Sequence, residues 1–367
     1  MTTRILIIGA YGNFGSFITR SLAKEKNIQL ILAGRSLQKS KQLASDINAH
    51  NPVETSALDI HINLDSALKQ LQPDLIIHTS GPFQSQGYNV AKSCIALGIH
   101  YIDLADGRDF VNDITQLHEQ AIKSKTLVIS GASSVPCLTA ALIDHYQDQF
   151  KTIDAVDYGI TTAQKTTRGL ATTAAILSYT GKSFSTIIDG KTATIYGWQD
   201  LHAHNYKQLG RRLLANCNVP DLALFPKRYP NIKTLRFYAG LEIPFIHITL
   251  WSLSWLVRFG LIKNLQPAAS FLLRTSFLFD WIGSSTSGFH MSLQGQDHNS
   301  KEKTITFELT AHSGDGPYIP CMPAILLAKR IANKQLTITG AYPCVGFISR
   351  DEYLNSLQGL DIDWLEY

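Results

Sequence analysis

The chain has 367 residues, of which 45% are hydrophobic and 17% charged, and its formal net charge is +4. That length is a prior for about two domains, and the composition fits a globular chain with sizeable cores and excludes a disordered one. The basic residues are dispersed without a long run, so no nucleic-acid partner is expected.

"MTTR" leads directly into "ILIIG", which leaves no apolar h-region, and the N-terminus is expected to be structural. Short apolar runs follow at 5–8, 29–33, 55–60, 75–79, 101–104 and 127–130. Segments with helical periodicity separate them, among them 14–24, 37–48, 89–97 and 110–123. Strands alternating with helices predict βαβ units and a parallel sheet covered on both faces. Six strands suit a doubly wound sheet. From about residue 151 the runs lengthen and alternate, at 153–163, 232–240, 287–296 and 303–312. Period-two alternation predicts antiparallel strands with one covered face. A helix is predicted within 317–334. The fold class is therefore α/β, an N-terminal Rossmann doubly wound parallel sheet followed by a second α+β domain with a mainly antiparallel sheet. The expected division is 1–135, 136–316, and a C-terminal helix and tail at 317–367 that pack back on the first domain.

"IPFIHITLWSLSWLVRFGLI" (243–262) and "AASFLLRTSFLFDWIG" (268–283) are rich in Trp, Phe and Leu. The first approaches the roughly 20 apolar residues that span a bilayer, but His247 and Arg258 interrupt it. Three readings stand: buried helices, a lid or tunnel for an apolar substrate, and an interfacial membrane anchor whose Arg258, Lys263 and Arg274 face lipid headgroups. A spanning helix is the least favoured. The five cysteines lie far apart in odd number, so reduced thiols in a cytoplasmic protein are expected, with no disulfide framework and no metal site.

The chemistry-bearing stretch is "RILIIGAYGNFGSFITRSL" (4–22), where Gly9, Gly12 and Gly15 sit between a strand and a helix. A helix N-terminus leaves about four N–H groups without intrahelical partners, and its dipole favours an anion. A pyrophosphate answers both if the backbone comes close, which needs residues without Cβ. Gly9 allows the turn, Gly12 the approach and Gly15 the helix–strand contact. Tyr11, Asn13 and Phe14 complete the candidate loop. The spacing is G-x-x-G-x-x-G, and ordinary turns also use glycine triplets.

An NAD site usually places an acid at the end of the second strand. Here "LILAGRS" places Gly34, Arg35 and Ser36 instead. A guanidinium and a hydroxyl bind a 2′-phosphate that a carboxylate would repel, so NADP(H) is favoured over NAD(H). The competing reading makes Arg35 a plain surface residue. Asp59, after the third strand, is a candidate for the adenine amino group or an unpaired surface acid. "HTSGPFQSQG" (78–87) follows the fourth strand, and its Thr79, Ser80, Gly81, Pro82 and Phe83 are candidates to approach the nicotinamide ribose.

"GAYGNFGSFITRSLA", "LAGRS", "SGPFQSQGYNVAKSCIALGIHYIDLADG" and "GAYPCVGFISRDEYL" together resemble the saccharopine dehydrogenase-like family. The first three cover the nucleotide-binding half in order; in the second half only the last does. The resemblance implies an NAD(P)-binding Rossmann domain, an α+β domain, oxidoreductase activity and a homodimer. The family's glycine turn falls on Gly9, Gly12 and Gly15, and its G-P-F turn on Gly81, Pro82 and Phe83. Its members act on diverse substrates, so none carries over.

Hydride transfer needs a proton donor or acceptor near the reacting carbon. Tyr88 and Lys92 have the Y-x-x-x-K spacing of short-chain dehydrogenases, but after the fourth strand rather than the fifth. Asp103 and Asp106 end the fifth strand; Asp103 is a candidate buried cap for a neighbouring turn, and Asp106 or Arg108 a candidate substrate contact. Arg168, His290 and His312 are polar candidates of the second domain, and Arg211 and Arg212 are basic partners for a carboxylate or a solvated helix end. Tyr88, Asp106 and His312 are the catalytic candidates. The leading reading is an NADP(H)-dependent oxidoreductase acting on a C=N, C=O or C=C bond of a small molecule, with an apolar one suggested by 243–283. The alternatives are a peripheral membrane lipid (enoyl) reductase and a non-catalytic NADP-binding sensor or scaffold.

Overall fold

The structure, a computed structural model, describes residues 2–367. The first segment runs β1 (Thr3–Ile8), α1 (Asn13–Leu22), β2 (Ile28–Gly34), α2 (Leu37–Asp46), β3 (Glu54–Ala57), α3 (Leu64–Leu71), β4 (Leu75–His78), α4 (Asn89–Leu97), β5 (His100–Asp103), α5 (Arg108–Asn112), α6 (His118–Lys123) and β6 (Leu127–Ser130). It is followed by α7 (Thr139–Tyr146), β7 (Thr152–Thr162), α8 (Leu170–Tyr179), β8 (Ser183–Ile188), β9 (Lys191–Tyr196), β10 (His202–Tyr206), β11 (Gly210–Asn216), α9 (Asp221–Arg228), β12 (Thr234–Leu241), α10 (Pro244–Arg258), α11 (Ala269–Ser276), β13 (Ser287–Gln296) and β14 (Glu302–Ala311). The chain closes with α12 (Met322–Ala332), β15 (Gly340–Pro343), α13 (Arg350–Ser356) and β16 (Ile362–Glu366). It divides into two compact units, Met1–Leu138 with Tyr318–Ile348, and Thr139–Pro317 with Ser349–Tyr367.

The first unit is built on a seven-stranded sheet in the order β15-β6-β5-β4-β1-β2-β3, with every pairing parallel. Residues 5–8 of β1 are buried throughout, because helices cover both faces of a parallel sheet and leave no side for water. Helix α1 presents Gly15, Ile18, Thr19 and Leu22 to that sheet, the i, i+3, i+4, i+7 stripe of a half-buried helix. The seventh strand, Gly340–Pro343, goes beyond the six expected: four residues bounded by a glycine and a proline carry no strand signal, and its place comes from pairing with β6. The expected single helix over 110–123 is instead α5, a 3-10 segment at Asp113–Leu117 and α6.

The glycine turn packs tightly. Gly9 has φ +84°, a conformation that a side chain disfavours. A Cβ on Gly15 would lie 2.2 Å from the Gly9 carbonyl oxygen, so α1 rests directly on the end of β1.

The second unit holds a seven-stranded sheet, β10-β11-β12-β7-β13-β14-β16, in which β12 and β7 are parallel and the other pairs antiparallel. A two-stranded ribbon, β8-β9, accompanies it. The 210–212 stretch is the start of β11, not a helix end, so Arg211 and Arg212 are strand residues. One face of the large sheet is apolar, with Val156, Tyr158, Met291, Leu293, Phe307 and Leu309 buried. The opposite face is also covered, contrary to the expectation of one covered face. His290, Glu308 and Thr310 on that face are at most 2% exposed. The β10–β11 hairpin curls over them. The rings of His204 and His290 stack at 3.7 Å, and the Tyr206 hydroxyl lies 2.9 Å from His290 Nδ1. Glu308 accepts from the Lys207 N–H at 2.9 Å and the Tyr367 hydroxyl at 2.9 Å. Each partner matters, because an unpaired buried polar group costs about 1–3 kcal/mol.

Asp221, in the first turn of α9, is fully buried beside the hydroxyls of Thr139 and Tyr158. Burial pushes its carboxyl up from 3.8 to about 7, and the two hydroxyls offset this only in part. The folded chain thus holds a proton that the unfolded chain has released, so this group's contribution to stability falls as pH rises from about 4 to about 7. Asp221→Asn should flatten that dependence by at most about 1.4 kcal/mol per pH unit, read as denaturant unfolding of both proteins from about pH 5 to about pH 8. A second prediction opposes helix propensity. Gly15→Ala improves the helix by about 1 kcal/mol in isolation, yet the clash with Gly9 should destabilise the protein by roughly 1–3 kcal/mol. A higher thermal midpoint for the variant would refute the close β1–α1 contact.

Candidate functional site

The candidate site is the carboxyl edge of the parallel sheet, where open α/β sheets take their ligands. After Ile8 the Gly9 and Ala10 N–H groups both reach the Ala33 carbonyl of β2, at 2.9 and 3.2 Å, and the Gly12 N–H returns to the Gly9 carbonyl at 2.9 Å. Gly12 is the N-cap of α1, and no side chain caps the helix. Asn13, Phe14 and Gly15 are its first helical residues, whose N–H groups have no acceptor within the helix. The only atom a Cβ on Gly12 would meet is the Gly9 carbonyl oxygen, at 3.2 Å, so this side of the turn is open.

Tyr11 ties the turn to the end of β2. Its ring lies against Gly34, and its hydroxyl accepts from the Ser36 N–H at 3.0 Å. Ser36 is the N-cap of α2, its hydroxyl accepting weakly from the Lys39 N–H at 3.4 Å. Arg35 is exposed and makes no ion pair among the described residues. Lys39 is a residue the sequence reading missed. Its ammonium stands 5.8 Å from the centre of the Tyr11 ring, one helical turn beyond Arg35. The i, i+4 spacing of two bases across a helix start was the available signal.

Across the sheet, the Thr79 hydroxyl donates to the carbonyls of Ile8 at 2.9 Å and Gly9 at 3.2 Å, locking the end of β4 to the glycine turn. A Cβ on Gly9 would meet the Thr79 and Ser80 hydroxyl oxygens at 2.7 and 2.6 Å. The segment Ser80, Gly81, Pro82 is pinned by Gln86, whose amide donates to the carbonyls of Ser80 and Pro82. The Phe83 ring is buried against His78 and Phe110, so this residue offers a ligand only its backbone. Asp59 lies half-buried after β3, where one carboxylate oxygen accepts from the His61 N–H. His78, buried at the end of β4 beside the Tyr101 hydroxyl, is held neutral, its pKa pushed down to about 3 by burial.

Each catalytic candidate has local partners of its own. The Tyr88 hydroxyl donates to the Phe110 carbonyl at 2.6 Å, and burial pushes its pKa up to about 12, so it anchors α4 to the 110 segment. Asp106 is exposed at the sheet's edge and accepts from Gln84 at 3.0 Å. His312 lies in the second unit, 3.5 Å from Asp363. Asp103 is fully buried and accepts from the N–H groups of Ala105 and Gly131 and from the Ser130 hydroxyl, a cap for the β5 and β6 ends. Arg168 pairs with Asp280 at 2.5 Å and stacks on Phe277, while Arg212 stands 4.0 Å from Glu242. His290 is enclosed in the polar network described above. No group of metal-ligating side chains exists among the described residues.

Residues 5–129 match the family model described as the saccharopine dehydrogenase NADP binding domain. A saccharopine dehydrogenase-like oxidoreductase of Mus musculus is 27% identical over 151 residues, 36% of this chain and 35% of that protein. The match therefore spans about a third of that relative's length. A carboxyaminopropylagmatine dehydrogenase of Synechocystis sp. is 27% identical over 168 residues, 42% of this chain and 41% of that protein. Among solved structures, the apo histidine-tagged saccharopine dehydrogenase (L-Glu forming) from Saccharomyces cerevisiae aligns over 100% of both chains with a TM-score of 0.66 at 15% identity, a likeness of fold. The chain thus resembles the saccharopine dehydrogenase family in sequence over residues 5–129, and a saccharopine dehydrogenase in fold along its length.

Proposed function

We propose that the first unit binds NADP(H) and that the chain is an oxidoreductase acting on a C=N, C=O or C=C bond of a small molecule. The observation that carries this reading is the open first turn of α1, uncapped and approached by no side chain at Gly12, with unpaired Arg35 across the turn. The residues present fit a dinucleotide. The N–H groups of Asn13, Phe14 and Gly15 suit its pyrophosphate, through orphan donors and the helix dipole together. Arg35 and Lys39 suit a 2′-phosphate, with Ser36 able to donate its hydroxyl proton while its oxygen caps α2. No carboxylate follows β2 to repel that phosphate. The likeness of residues 5–129 to an NADP binding domain supports the same preference.

When bound, such a cofactor supplies or accepts the hydride. The chain's own task is to hold it at the sheet edge. Thr79 fixes the distance between the β1 and β4 ends, and Gln86 holds Ser80 to Pro82 in a shape that can flank the nicotinamide ribose. Asp59 has one carboxylate oxygen to offer the adenine amino group. The second unit is proposed as the substrate-bearing part.

Titration with NADPH and NADH, followed by tryptophan quenching or calorimetry, tests the reading. Arg35→Ala should weaken NADPH by roughly ten- to hundredfold, the range of ~1.5–3 kcal/mol for a charged hydrogen bond, and leave NADH nearly unchanged. Equal losses for both would remove Arg35 from the 2′-phosphate. Failure of the folded protein to bind either nucleotide would overturn the cofactor assignment.

A further inference from the structure

We propose that the outer face of α10 and α11 docks in the plane of an anionic lipid bilayer. The claim stands on the second unit alone and goes beyond the cofactor reading.

Helix α10 is apolar on its outer as well as its inner side. It buries His247 and Ser254 completely, yet presents Phe245 at 45% exposure, Ile248 at 43% and Phe259 at 69%. These lie on one stripe whose intervening exposed positions include Thr249 and Ser252, uncharged residues. Burial of His247 is accompanied by a pKa pushed down to about 4, so the group is neutral inside while hydrocarbon faces out. The inner sides of α10 and α11 meet through Leu250, Leu253, Val257, Leu265, Ala269 and Leu272 over Leu177 of α8. Both helices therefore turn their other sides outward. The outward side of α11 and the segment after it carries Phe271 at 67% and Trp281 at 79%, and the turn after α10 carries Leu261 at 73%. A surface with this many exposed large apolar side chains is unusual for a protein that meets only water.

Charge selects the occupant. Residues 243–283 contain three bases, Arg258, Lys263 and Arg274, and one acid, Asp280. That acid is taken by Arg168, whereas Lys263 and Arg274 are exposed and form no ion pair among the described residues. An aromatic-rich apolar face edged by free bases matches acyl chains below anionic headgroups. A two-fold contact with a second copy would set the same patch against itself, with no free acid to answer its cations. Length decides between lying and spanning. Helix α10 has 15 residues, about 22 Å, short of the ~30 Å hydrocarbon core, and no helix among the described residues is long and apolar enough to cross a membrane.

The test is flotation of the full chain with phosphatidylcholine vesicles, with and without phosphatidylglycerol. The protein should float with the mixed vesicles and be released by salt. Lys263→Ala and Arg274→Ala should each lower partition onto them by about fivefold. The triple variant Phe259→Ser/Leu261→Ser/Trp281→Ser should lower it by about tenfold or more. Circular dichroism and the NADPH titration of that variant should match the wild type, which separates loss of docking from misfolding and from failure of the cofactor reading. As a second measurement, tryptophan emission should shift to the blue on vesicle addition, and less so in Trp281→Phe. Wild-type protein that stays unfloated with both vesicles would overturn the proposal. So would a dimer, seen by sedimentation equilibrium, that the triple variant dissolves, because the patch would then be an interface between copies.

Discussion

The contact of Gly15 with the Gly9 carbonyl governs the candidate nucleotide site. It seats α1 directly on the end of β1, and that seating determines where the uncapped N–H groups of Asn13, Phe14 and Gly15 lie. Thr79 then binds the ends of β1 and β4 through two carbonyls, and Tyr11 binds the turn to β2 through Ser36. Three strand ends and one helix start are thereby held at the same sheet edge. A side chain at Gly15 would press on the Gly9 and Ala10 backbone, and one at Gly9 on the Thr79 and Ser80 hydroxyls, which a close-packed interior does not absorb cheaply.

The second unit solves a different problem. Its large sheet has one apolar face, as alternation demands, but its other face holds His290, Glu308 and Thr310 out of water. Such a face is tolerable only if it is answered group by group. The β10–β11 hairpin does this with Tyr206, stacked His204 and the Lys207 N–H, and Tyr367 adds a donor from the far end of the chain. Burial lowers the His290 pKa while Asp157 raises it, and burial is the larger influence. The network reads as support for the sheet, because its members spend their hydrogen bonds on one another.

The segment 243–283 is apolar on its outer as well as its inner side, with His247 inside and phenylalanines outside. The sequence shows the greasy composition but leaves its orientation open among a core, a lid and an anchor. Orientation depends on which side of α10 meets α8 and α11, and Leu250, Leu253 and Val257 settle that in favour of the side bearing His247 and Ser254. Hydropathy summed along the chain cannot distinguish the two sides of one helix once both are apolar.

The readable parts were those written locally. The alternation of apolar runs and helical stretches, the glycines between β1 and α1, and the base in place of an acid after β2 are short-range signals. Backbone sterics and burial on both faces of a parallel sheet make the alternation of strands and helices legible within short windows. What they could not express was pairing at a distance. Lys39 stands over the Tyr11 ring that closes on Gly34, and the Tyr88 hydroxyl finds its acceptor at Phe110. The seventh strand at 340–343 exists because β6 has a free edge, and the polar face of the second sheet is buried because a hairpin curls over it. The sequence by itself determined the doubly wound sheet and its glycine turn, since each is encoded within about thirty residues of a βαβ unit. Only the tertiary structure decided which polar groups are spent on holding the fold, because a hydrogen bond between distant segments has no period to read.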